Sequence, residues 1–154
     1  MQMSDSRQIA AAPQTVYAAL LDPRVLQTCV PGATEVTGTP EDGFEAVVTQ
    51  KVGPVKATFK GQVKMKDRMP GEKLTISGEG KGGAAGFAKG GAVVTFEASE
   101  QGTVLTYEVD AKVGGKLAQL GSRIIAGFAK KMADQFFSNL QPHLEGPSAD
   151  DAEA

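Results

Sequence analysis

The sequence is poor in the residues on which most enzyme chemistry depends. Its 154 residues include one Cys, one His and no Trp. A single thiol excludes a disulfide scaffold and a cysteine metal site. Cys29 precedes Val30-Pro31-Gly32 in an apolar setting, which predicts a buried structural thiol. His143 stands beside Pro142, beyond the last helical stripe and without a clear acid or nucleophile partner, so it reads as a surface residue. Neither HExxH nor CxxC occurs, so no metal is expected. Long apolar runs are also missing: residues 117–140 are interrupted by Arg123, Lys130, Lys131 and Asp134. The N-terminal MQMSDSRQ lacks a signal-peptide core, which makes a cytoplasmic protein the expectation. Sixteen Lys and Arg against eighteen Asp and Glu leave a net charge of −2, which argues against an electrostatic nucleic-acid binder.

What remains suits one soluble domain with one core, over residues 1–144. Residues 145–154 contain PSADDAEA, with three acids and no large apolar side chain, and predict an acidic disordered tail. Between these limits the sequence shows two periods. Residues 13–21, PQTVYAALL, repeat apolar side chains at helical spacing behind Pro13. Asp22-Pro23 ends that helix and opens a second brief one, and Pro31-Gly32 breaks the chain. From Glu35 to Gly114 the period is two. Over 55–67, Val55, Ala57, Phe59, Gly61, Val63 and Met65 share one face, while Lys56, Lys60, Lys64 and Lys66 occupy the other. Runs around Phe44, Leu74, Val94 and Leu105 alternate likewise, separated by Gly53-Pro54, Pro70-Gly71 and similar turns. Alternation with one wet and one buried face predicts an antiparallel sheet.

Leu117, Leu120, Ile124, Phe128, Met132, Phe136 and Leu140 then form one helical stripe, about 36 Å long at 1.5 Å per residue. One-faced sheet plus long helix is an α+β arrangement, in which a curved sheet grips the helix. The space between them is either filled or hollow. Small residues on the inner faces, and Gly121 in register with Leu117 and Ile124, allow either close packing or a void for an apolar ligand. The candidate lining is Phe59, Val63, Phe96, Tyr107, Leu117, Gly121, Ile124, Phe128 and Met132. Arg7 and Gln50 share parity with inward apolar residues. Each is either internally paired or a polar anchor for a ligand head.

The stretch Gly78-Glu-Gly-Lys-Gly-Gly formally satisfies G-x-G-x-x-G. A strand follows it in place of a helix, so it is not a dinucleotide site. It reads as a flexible hairpin with Lys81, Phe87 and Lys89 at its tip, a candidate gate or partner contact. Lys56, Lys60, Lys64 and Lys66 are either a solvated strand face or a patch for an anionic membrane or a partner.

Several segments carry a family resemblance: DPRVL followed by CVPG32, KVGPV55, GEGKGGAAGFAKG90, VGGKLAQLGSR123 and KMADQFF137. Together they resemble the CoxG family, the carbon monoxide dehydrogenase G subunits of the START-like (SRPBCC) helix-grip superfamily, over roughly residues 7–140. The resemblance implies a curved antiparallel sheet around a C-terminal helix with a cavity between. It also implies a non-catalytic accessory role: recruiting a molybdenum-containing carbon monoxide dehydrogenase, or a related hydroxylase, to the inner face of the cytoplasmic membrane. No cofactor is implied beyond a bound respiratory quinone or lipid. An assembly factor without ligand carriage, and a START-like cyclase or hydrolase, are the competing classes.

Overall fold

The structure is a computed structural model that describes residues 1–145. The expected acidic tail lies outside the described residues, except Glu145. The chain opens with strand β1 (Gln2–Ile9), followed by helices α1 (Pro13–Leu20) and α2 (Pro23–Cys29). Pro13 starts α1, where its missing N–H costs nothing. Asp22 caps α2 by accepting from the Arg24 backbone N–H at 2.9 Å. Six strands follow: β2 (Ala33–Thr39), β3 (Gly43–Val52), β4 (Val55–Met69), β5 (Lys73–Lys81), β6 (Phe87–Ser99) and β7 (Gly102–Gly114). They join β1 in one antiparallel sheet of order β1-β7-β6-β5-β4-β3-β2. This is a meander whose last strand pairs with the first.

Short helix α3 (Lys116–Gln119) and long helix α4 (Ser122–Leu144) complete the chain. The sheet is curved around α4, which is the helix-grip fold. Its inner face and the helix enclose the main core, where Ile9, Val16, Cys29, Leu74, Leu105 and Leu140 are fully buried. Each buried Leu or Ile contributes about 2 kcal/mol. Thr103, equally buried, donates its hydroxyl to the Ala11 carbonyl at 2.7 Å and so leaves no orphan polar group.

The helical stripe needs one correction. Leu117 to Leu140 is not a single helix, because the chain breaks at Leu120-Gly121, where Gly121 has φ +92°. The break shifts the phase, so that Ile125 is buried while Ile124 is 43% exposed. Gly121 is therefore no packing void in a helix interior: a Cβ there would meet nothing within 4 Å, and its φ is what calls for glycine. His143 lies within the last turn of α4, which runs past the end of the apolar stripe and takes Pro142 with it.

Candidate functional site

Alternation along the strands sends one row of each to the inner face, and these rows meet α4 around a cavity of about 400 Å³. Ala46 and Val48 of β3, Val63 of β4, Ala92 of β6 and Tyr107 of β7 form the sheet wall. Met132, Ala133, Phe136 and Phe137 of α4 form the opposite wall. Leu26 of α2, with Val30 and Pro31 after it, closes one side. Ala33, Ala46, Ala92 and Ala133 are among its lining residues, where larger side chains would take up space. All lining residues are apolar or aromatic, and the Tyr107 hydroxyl is the single polar side-chain group among them. Such a wall can exclude water and bind apolar surface.

A polar latch stands beside this wall. Arg7 of β1 pairs with Asp134 of α4, and Lys130 reaches the same carboxylate at 2.9 Å. The Arg7 guanidinium lies 5.2 Å from the centre of the Phe137 ring, which stacks on Tyr107 at 5.5 Å. Hydrogen bonds from Lys130 and then Arg7 hold the Asp134 carboxyl below its ordinary pKa. Burial acts to lower the Arg7 pKa, but hydrogen bonds with Asp134 and Tyr107 outweigh it and leave the pKa raised. Arg7 thus ties the first strand to the last helix, which is the internal pairing that its inward parity allowed.

The structure sorts the expected lining residues into three places. Val63, Tyr107 and Met132 line the cavity. Phe96 is buried beyond it, with its ring edge-on to Tyr17 at 5.7 Å. Gln50 turns aside and donates its amide to the Pro31 carbonyl at 2.7 Å, fixing the chain where Pro31 meets the cavity. Phe59, Leu117 and Phe128 belong to a second, smaller apolar cluster around Val52 and Ile125. Gly121 and Ile124 face outward. The sequence pattern does not single out Phe137, Ala133 or Ala92. Phe137 adjoins Phe136 of the expected stripe, and a wider stripe of two adjacent helical positions would include it. Cys29 is buried as expected, and burial pushes its thiol pKa up.

The glycine-rich hairpin also differs from expectation. β5 and β6 pair without a slip from Lys73↔Thr95 to Lys81↔Phe87, joined by one 3-10 turn, Gly83–Ala85. Several glycines mark close approach. A Cβ on Gly90 would come within 2.3 Å of the Asp110 carbonyl, and one on Gly82 within 2.5 Å of the Phe59 ring. Phe87 points to the outer face with Lys89, because β6 turns Ala88, Ala92 and Val94 inward. Its ring lies on Gly114 of β7, so it cannot plug a cavity on the other face of the sheet. Lys56, Lys60, Lys64 and Lys66 form an exposed outer row on β4, and Lys81 extends it onto β5 opposite Lys60. Among the described residues no helix is long and apolar enough to cross a membrane.

With this geometry in view, the family model for the carbon monoxide dehydrogenase G subunit (CoxG) matches residues 6–145. The chain belongs to that family. It is also similar to a solved conserved protein from Geobacillus kaustophilus, with 27% identity, 94% of this chain and 95% of that chain covered, and a TM-score of 0.87. A protein from Rhizobium leguminosarum shares the fold at 18% identity, 94% coverage of both chains and a TM-score of 0.72. So does CV1439 from Chromobacterium violaceum, at 19% identity, 94% and 97% coverage and a TM-score of 0.68. No curated protein matches the sequence significantly. These chains thus share one grip, and in this CoxG chain the grip encloses an apolar cavity.

Proposed function

We propose that this chain is a non-catalytic accessory protein of a molybdenum hydroxylase of the carbon monoxide dehydrogenase type. In this reading it carries an apolar ligand, a respiratory quinone or lipid, in its cavity and helps recruit the enzyme to the cytoplasmic membrane. Family membership supports the enzyme partner. The observation that carries ligand binding is the apolar cavity of about 400 Å³, within the range of small-molecule sites. Its apolar walls suit a hydrocarbon tail or fused ring.

Mass spectrometry of apolar extracts from the purified protein tests this reading. A quinone or lipid in near-stoichiometric amount is expected. Ala92→Leu with Ala133→Leu fills the cavity and should reduce that content at least tenfold while the fold is kept. Extracts free of apolar ligand, from protein purified out of membrane-containing cells, would instead favour an assembly factor.

A further inference from the structure

Charge is segregated along this molecule. Residues 46–66, 80–96 and 111–133 hold twelve of the sixteen Lys and Arg and none of the eighteen Asp and Glu. The topology brings parts of all three to one end of the sheet. There lie the Gly53-Pro54 turn between β3 and β4, the turn between β5 and β6, and the passage from β7 through α3 into α4. Acids gather at the opposite end: Glu41, Asp42, Glu72 and Glu100 in its turns, and Asp67 and Glu97 on the strand ends that lead into them.

At the basic end the outer face places lysines directly opposite one another in three cross-strand pairs: Lys51↔Lys56, Lys60↔Lys81 and Lys89↔Lys112. Like charges so placed repel and weaken a sheet. Glu79 stands opposite Lys89, yet none of the six lysines has a carboxylate within 4.0 Å among the described residues. Two exposed apolar side chains share this end. Phe87, 40% exposed, lies on Gly114, and Ile124, 43% exposed, lies over Gly53. Arg123 precedes Ile124, and Lys116 lies two residues past Gly114.

We propose that this basic end docks on an anionic lipid surface. Exposed apolar groups ringed by lysines fit a headgroup boundary, where the apolar side chains enter and the ammonium groups reach back to the phosphates. Lysine predominates over arginine here, seven to one, whereas protein interfaces are depleted of lysine and enriched in arginine. An acidic protein surface is therefore the weaker match. Binding to lipid also relieves the repulsion within the three lysine pairs. The inference deepens the proposed function by naming the surface that meets the membrane, and it rests on that reading for the membrane itself.

Sedimentation of the full chain with vesicles of phosphatidylcholine, with and without 30% phosphatidylglycerol, tests the proposal. Binding is expected to the anionic vesicles alone, and to fall steeply between 50 and 500 mM NaCl. Each lysine near the surface is worth about fivefold in partitioning. The quadruple variant Lys51→Glu, Lys56→Glu, Lys81→Glu, Lys116→Glu should therefore lose on the order of a hundredfold or more. A control of equal charge change away from this end, Lys64→Glu, Lys66→Glu, Lys73→Glu, Lys131→Glu, should lose far less. Circular dichroism melts establish that both variants are folded. Equal loss in the two variants, equal binding to neutral vesicles, or no vesicle binding by the parent chain would overturn the proposal. In the last case binding to an acidic protein instead would identify the other occupant. Vesicle binding by a chain that carries no apolar ligand would leave the docking end standing and remove the carrier reading.

Discussion

The end of the sheet capped by α1 and α2 buries Ile9, Val16, Leu74, Leu105 and Leu140 around Tyr17, Phe96 and Phe137. The other end buries Val52, Ala85, Leu117 and Ile125, with Phe59 and Phe128 partly covered. It is also where Gly80, Gly82, Gly83, Gly86, Gly114, Gly115 and Gly121 collect. The first end is held by apolar volume. The second is shaped by missing side chains, which let strands and turns approach closely but supply little burial energy. The cavity lies toward the first end, so the molecule keeps its ligand space where the walls are best supported.

The largest expected effect separates the two clusters. Leu105→Ala removes a fully buried side chain from the main core and should cost about 3–4 kcal/mol. Leu117→Ala, in the small cluster beside a chain break, should cost about 2 kcal/mol because the site relaxes more readily. Urea melts of both variants measure this, and equal losses would mean the two clusters behave as one core. A smaller effect separates two kinds of glycine. Gly90→Ala meets the Asp110 carbonyl at 2.3 Å and should cost about 2–3 kcal/mol through a forced backbone shift. Gly121→Ala meets nothing, so its cost, about 1–2 kcal/mol, comes from backbone conformation alone, at φ +92° and ψ 156°. The reverse order would show that conformational strain, rather than contact, governs the glycine-rich end.

The smallest effect concerns the Arg7–Asp134 latch. The Asp134 carboxyl is held below its ordinary pKa in the folded chain, so its contribution is complete above about pH 4. It is lost as the pH falls through the depressed folded value. Asp134→Asn should therefore melt lower than the parent at pH 7, and the difference should close as the pH falls through that depressed value. A difference independent of pH would assign the latch to packing rather than to charge.

The strands are legible in the sequence because their inner face is apolar and their outer face is wet. That contrast repeats every two residues and fixes register once the turns are placed. The cavity wall is legible only in part. Val63, Tyr107 and Met132 follow from parity and stripe, but the sequence does not show which inward residues face a void and which, like Phe96, meet a neighbour. That depends on α1 and α2, which cover only one end of the sheet. The break at Gly121 is hidden because Leu117 and Ile124 keep helical spacing across it, although Gly114 and Gly115 signal irregular backbone nearby. Phe87 reads as a plug only if the strand begins after it, and the strand begins with it. One strand position decides which side of the sheet a ring occupies.

The attachments of α4 to the rest of the fold are unevenly distributed along its length. Its side-chain hydrogen bonds to other elements run from Asp134 onward: Asp134 to Arg7, Asn139 to the Cys29 carbonyl, Gln141 to the Gln8 carbonyl, and Glu145, just past the helix, to the Ala10 N–H. Its first turn has no side-chain cap and starts at a glycine. In mechanical terms the helix is a cantilever, clamped along its second half and supported elsewhere by apolar contact. A beam held in this way deflects most at its free tip. Here that tip carries Arg123 and Ile124, so a force applied at the basic end acts on the ligand space with the unclamped first half of the helix as its lever arm.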